Sequence, residues 1–185
     1  SKSLMEQLYF VTSNKGKIKE AEMILGIPIN PMNADLEEIQ SLDLEEIVKA
    51  KAIKAFELIH KPLFVDDVGL YIEVWNGFPG PFIKYLCEAV GSKGLLRMMK
   101  DETNRQLVAK AMIGFHDGKE VFTFMGEVEG TLATKPRGEG GWGWDPVFIP
   151  AFTEKTYAEL TATEKNAVSH RRAALENFKT YLKIT

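Results

Sequence analysis

The sequence predicts a mixed α/β fold, in which helices pack on a mixed sheet, and two observations carry that reading. Apolar strand runs alternate with amphipathic helices early in the chain, and a long hairpin pattern follows them. Leu8-Tyr9-Phe10-Val11 is the first strand run. Thr12-Ser13-Asn14 ends it with residues suited to capping a helix, and the helix that follows carries Ile18, Ala21, Ile24 and Leu25 on one face, with Gly26 as its stop. A second amphipathic helix runs from Asp43 to Ile59, with Leu44, Ile47, Val48, Ala52, Ala55 and Phe56 as its apolar positions. Pro62-Leu63-Phe64-Val65 is a buried strand that ends in Asp66-Asp67. Leu107 to Phe115 and Glu120 to Thr131 form an antiparallel pair that turns at Asp117-Gly118. The last helix spans Thr163 to Leu182. At about 100° per residue, Val168, Leu175, Phe178 and Leu182 share its core-facing stripe.

Composition narrows the class. The chain is 45% hydrophobic and 26% charged, with a formal net charge of -3, which suits one globular domain over residues 1–185. Slight acidity argues against duplex nucleic acid as a partner, because binding a phosphate backbone needs a basic surface. A compact phosphorylated ligand needs only a few local cations. The one cysteine, Cys87, has no partner for an internal disulfide and reads as a small buried hydrophobe. No apolar run approaches the ~18 residues of a membrane span. The start, Ser1-Lys2-Ser3-Leu4-Met5-Glu6, lacks the apolar region of a signal peptide, so the expected location is the cytoplasm.

Four stretches carry chemistry. Thr12-Ser13-Asn14-Lys15-Gly16-Lys17 sits where a strand hands over to a helix, and the N–H groups and positive dipole end there attract anions. The Gly-x-x-x-x-Gly-Lys-Ser/Thr loop is absent, so a plain capped helix start remains the alternative. Asp66 and Asp67 follow an apolar run, with side chains expected to point in opposite directions. Such carboxylates bind hard cations or take a proton from water, and Glu37 and Glu38 could complete a site; the alternative is a solvated acidic turn. Gly138 to Pro146 holds Trp142 and Trp144 among glycines, beside Asp145. This composition suits a flat base between an indole face and a carboxylate, or a surface turn with tryptophans tucked into the core. In the last helix Arg171 falls on the apolar stripe and needs an anionic partner unless it snorkels at the margin. On the same count Lys165 and Ser169 lie about 120° away, and Asn166 and His170 flank the stripe.

Together these residues resemble the inosine triphosphate pyrophosphatase (ITPase) family. The resemblance rests on Thr12-Ser13-Asn14-x-x-Lys17, Asp66-Asp67-x-Gly69-Leu70, Gly77-Phe78-Pro79-Gly80, Trp142-Gly143-Trp144-Asp145-Pro146-x-Phe148 and Glu164-Lys165-Asn166-Ala167-x-Ser169-His170-Arg171. These blocks fall in family order over nearly the whole chain. The house-cleaning members, the HAM1-like non-canonical purine NTP pyrophosphatases, hydrolyse ITP, dITP and XTP to the monophosphate and pyrophosphate. The resemblance implies an elongated two-lobed fold around a mixed sheet with the active-site cleft between the lobes, a Mg2+ cofactor and a homodimer. It places the phosphates on the Thr12–Lys17 stretch, through Ser13, Asn14 and Lys17 with Lys15 and Gly16 between them. It gives the metal to Glu38 and Asp67, and activation of water to Asp67. Trp142 stacks on the base where the family commonly has phenylalanine, Gly143, Trp144 and Asp145 complete the pocket, and Lys165, His170 and Arg171 reach base and phosphates. Val68 departs from the serine or threonine usual in the family, which leaves a backbone contact there. A nucleotide phosphotransferase and a non-enzymatic purine-nucleotide sensor are the rival readings.

Overall fold

The computed structural model describes residues 8–183. The N-terminal stretch Ser1 to Glu6 lies outside them. Seven strands form one sheet: β1 (Tyr9–Val11), β2 (Asn30–Met32), β3 (Leu63–Ile72), β4 (Pro79–Gly80), β5 (Gln106–His116), β6 (Val121–Leu132) and β7 (Phe148–Pro150). Their order is β2-β1-β3-β5-β6-β7, with β4 on β3. β1 pairs in parallel with β2 and β3, whereas β4 on β3 and β7 on β6 are antiparallel. The sheet is therefore mixed, as the alternation of elements predicts. Among the described residues, no helix is long and apolar enough to cross a membrane.

The chain forms two compact units. The first comprises residues 8–67, 111–126 and 171–183. Here α1 (Lys15–Leu25) starts on Asn14, whose side chain accepts the Lys17 N–H, and stops at Gly26 in the left-handed region (φ 70°). α2 (Leu44–Ile59) starts on Asp43, which accepts from the N–H groups of Glu45 and Glu46. Its Leu44, Val48, Ala52 and Ala55 pack with Val11, Leu63, Val65 and Met112. At Gly114 of β5 a Cβ would stand 2.8 Å from the Val48 carbonyl oxygen, so glycine lets helix and strand approach this closely. Phe10 stacks on Phe64, and both Phe64 and Phe115 meet Phe178 of α5 (His170–Leu182). Side chains alternate along β3, so Phe64 and Asp66 share one face while Leu63, Val65 and Asp67 share the other.

The second unit comprises residues 68–110 and 127–170. It holds α3 (Ile83–Met98), interrupted at Gly91 (φ 70°, ψ 175°), and α4 (Ala162–Val168). Its core gathers Leu70, Ile72, Leu95, Leu107, Trp144 and Phe148, among others. Arg105 ties the end of α3 to the end of β6 by donating to the carbonyls of Met99, Leu132 and Ala133.

Two sequence expectations need correction. The strand at residue 63 does not end at Asp66-Asp67 but continues to Ile72, with both acids mid-strand. Nearby cations offset the cost of burying acid there, and Gly69-Leu70-Tyr71-Ile72 resumes the apolar run. The expected helix from Thr163 to Leu182 is two helices, because Ser169 between them is extended (φ -77°, ψ 156°). A steady 100° count cannot cross that break, so Val168 is not in phase with Phe178, and the angular places counted for Lys165, Asn166 and Ser169 relative to Arg171 do not hold.

Candidate active site

The first unit concentrates charge around Asp66. Its Oδ1 accepts from Lys17 Nζ at 3.1 Å and its Oδ2 faces Arg171 Nε at 3.4 Å. Arg171 Nη1 lies 3.3 Å from Glu20 Oε2, and the side chains of Arg171, Glu20 and Asp66 are all buried. Burial pushes the Asp66 carboxyl up, but Lys17, Arg171 and Lys51 outweigh it and hold it below its ordinary range. For Lys17 the balance falls the other way: burial lowers the ammonium below its ordinary range despite the pull of Asp66. Arg171 is thus buried as the apolar stripe predicts, and it does not snorkel. Its anionic partners are the protein carboxylates Glu20 and Asp66.

Asp67 belongs to a second cluster, on the α2 side of β3. Lys51 Nζ lies 2.7 Å from Glu38 Oε1 and donates to the Asp66 carbonyl at 3.1 Å. Burial lowers the Lys51 ammonium, but Asp67, then Glu38, overcome this and raise it above the ordinary lysine value. Lys51 is therefore paired with Glu38, from the loop before α2, and also feels the charge of Asp67 from β3.

Thr12, Ser13, Asn14, Lys15 and Gly16 occupy the β1–α1 junction, with Ser13, Lys15 and Gly16 exposed. Thr12 Oγ1 accepts the Asn14 N–H, so both capping residues shape the backbone locally. Glu20 and Lys51 are the charged groups that the sequence reading missed. The signal existed: Glu20 lies four residues before Ile24, and Lys51 four after Ile47 and four before Ala55, so both sit on apolar stripes as Arg171 does.

The second unit holds the aromatic group. Asp145 is buried, and its Oδ2 accepts from Lys165 Nζ at 2.5 Å and from the Trp142 N–H at 3.0 Å. The Lys165 ammonium lies 4.1 Å from the centre of the Trp142 ring, a cation–π contact, and 5.5 Å from that of Tyr157. Trp142 is 45% exposed whereas Trp144 is 7% exposed, so one indole offers a face and the other packs. His170 is buried, its ring centre 5.4 Å from that of Trp144 and 5.8 Å from that of Tyr157. Gly143 has φ 62°, and a Cβ on Gly141 would strike the Asp145 carboxylate, so the loop tolerates little but glycine at these points. Val68, half-buried, is the first residue of this unit.

Lys17 and Arg171 thus pair with Asp66, Glu38 with Lys51 and Lys165 with Asp145, each within its own unit. Known proteins place the chain. The model of the Ham1 family matches residues 8–181. The dITP/XTP pyrophosphatase of Thermococcus kodakarensis is 41% identical over 180 residues, covering 96% of this chain and 97% of that protein. The dITP/XTP pyrophosphatase of Methanopyrus kandleri is 41% identical over 181 residues, with 96% of each chain covered. The solved HAM1 protein of Coxiella burnetii superposes with a TM-score of 0.86 at 29% identity, over 96% of this chain and 98% of that one. With the match extending over nearly every described residue, the chain belongs to the Ham1 family.

Proposed function

We propose that this chain hydrolyses non-canonical purine nucleoside triphosphates, ITP, dITP and XTP, to the monophosphate and pyrophosphate. One observation carries the reading: adjacent acids in β3 gather buried cations, Asp66 anchoring Lys17 and Arg171, and Asp67 acting with Glu38 on the charge of Lys51. The names of the Thermococcus and Methanopyrus relatives support it.

The phosphates are assigned to Lys17, Lys51 and the N–H groups at the start of α1, where cations and the helix dipole offset the triphosphate charge. Glu38 and Asp67 fit Mg2+, since they are hard oxygen donors whose charges both act on Lys51, and this metal needs only one or two protein carboxylates beside substrate phosphates. When bound, it supplies charge neutralisation at the phosphate oxygens. Asp67 takes the proton from the attacking water. Asp66 stays ionised and holds Lys17 in place.

The base is assigned to Trp142, Gly143, Trp144, Asp145, Lys165 and His170, with the backbone at Val68. Lys165 and Asp145, which pair with each other in this structure, are assigned as the donor and the acceptor for the base edge. A 6-oxopurine edge offers the complement, an O6 acceptor beside an N1–H donor, whereas adenine offers an amino donor and an unprotonated N1. Arg171 acts from its Glu20–Asp66 pairing, which orients it and Lys17 around one carboxylate. The proposed working form is a homodimer, as the family resemblance implies and light scattering checks, and the proposed location is the cytoplasm.

Incubation with ITP and Mg2+ tests the reading. Pyrophosphate and IMP in equal amounts support it. Orthophosphate with IDP, transfer to an acceptor, or binding without turnover contradicts it, the last two favouring a phosphotransferase and a sensor respectively.

A further inference from the structure

We infer that Arg137 is a positioning residue for base recognition, clipping the root of the Gly138–Asp145 loop to the segment that supports it; this rests on the assignment of that loop to the base. Four glycines, Gly138, Gly140, Gly141 and Gly143, give the loop large conformational freedom, so a fixed place for Trp142 needs anchors. The structure supplies them from one region. The Arg137 N–H donates to the Pro146 carbonyl at 2.9 Å, closing the loop at its base, and the Gly140 N–H donates to the Ala158 carbonyl at 3.0 Å, pinning its crown. At Gly138 (φ 89°) a Cβ would stand 2.5 Å from the Ala158 carbonyl carbon, so the two backbones touch.

The support segment is itself organised by Arg137. The guanidinium donates to the Glu154 carbonyl at 2.8 Å and pairs with Glu159 Oε1 at 3.3 Å. The Arg137 carbonyl accepts from Thr156 Oγ1 at 2.7 Å. Glu159 and Thr156 form a capping box, each side chain accepting the other's backbone N–H. One arginine therefore holds both ends of a turn that carries Ala158, on which Gly140 rests, and Tyr157, whose ring lies 5.5 Å from the Lys165 ammonium. Through these two residues Arg137 sets where Trp142 and Lys165 stand.

The test uses the full chain with Mg2+. Arg137→Met keeps the stem but removes charge and donors. Its KM for ITP is expected to rise about 3–10-fold with kcat within about 2-fold, the signature of lost uniform binding, and Arg137→Lys is expected to recover part of the loss. Inhibition by inorganic tripolyphosphate, which probes the phosphate residues alone, is expected to stay unchanged. Glu159→Gln retains a capping box but loses the ion pair, so it raises KM by a smaller factor, about 2–5-fold, and carries the test if Arg137→Met fails to fold. The double variant is expected to be no worse than Arg137→Met, because the two side chains act through one contact. Normal KM in Arg137→Met despite a lowered melting temperature reduces the residue to a structural role and overturns the proposal. Hydrogen exchange at the Gly140 amide separates this from failure of the nucleotide reading: it should quicken by at least about 10-fold in Arg137→Met even if the parent turns over no ITP, and unchanged exchange overturns the clip.

Discussion

Replacing Arg171 with methionine should destabilise the empty protein. The side chain is 4% exposed and faces two carboxylates, each 5% exposed, at 3.3 Å and 3.4 Å. Methionine restores much of the apolar stem but leaves Glu20 and Asp66 buried with less counter-charge. Breaking a buried pair from one side costs about 3–5 kcal/mol. Asp66 keeps Lys17 at 3.1 Å, which argues for the lower end, about 3 kcal/mol. For a chain of this size that corresponds to a fall of roughly 6–12 °C in Tm. Thermal melts at pH 7 without nucleotide measure it. Adding Glu20→Gln to Arg171→Met should recover part of the loss, since the second change neutralises an acid stranded by the first. An unchanged or raised Tm for Arg171→Met would refute the reasoning and return the balancing charge to the ligand.

Three further outcomes follow from the same geometry. Asp67→Asn should lower turnover by at least about 10²-fold with the fold intact, since the amide keeps the shape but cannot take a proton; near-normal hydrolysis at saturating Mg2+ contradicts this. Lys17→Ala should weaken tripolyphosphate binding and also lower Tm, by the equivalent of about 1–3 kcal/mol, because it removes a charged hydrogen bond to buried Asp66; weaker binding at unchanged Tm would return Lys17 to a simple exposed cation. Asp66 is held below its ordinary range, so its stabilising contribution is present above about pH 4 and is lost as pH falls through the folded value. Melts in acid should therefore decline more steeply for the parent than for Asp66→Asn, and parallel declines would contradict the shift.

Local signals made the early fold readable. Asn14 and Gly26 mark the ends of α1 by hydrogen-bonding and backbone chemistry that operate over a few residues, and both act as expected, whereas Asp43, expected as the first helical residue, is the cap before Leu44. Ser169 is a residue type that caps helices and stands extended just before α5, but it lies inside an otherwise continuous helical pattern, so the pattern hid it. The break separates a helix belonging to one unit from a helix belonging to the other. The residues around the acids were readable by type but not by pairing. Asp145 and Lys165 lie 20 residues apart and meet only once the loop and α4 are in place, and Arg171 reaches Glu20 across 151 residues. β2 and β4 were missed because Asn30-Pro31-Met32 and Pro79-Gly80 show none of the apolar alternation that marks a strand.

Side-by-side kcat/KM values for ITP and ATP, with pyrophosphate release as the readout, test the central claim most directly. In the proposed base site, a donor from Lys165 and an acceptor from Asp145 would match the 6-oxo edge and oppose the adenine edge at both atoms. ITP should therefore be preferred by at least about 10²-fold, with pyrophosphate as the inorganic product. Equal values for the two nucleotides, or orthophosphate in place of pyrophosphate, would contradict the account.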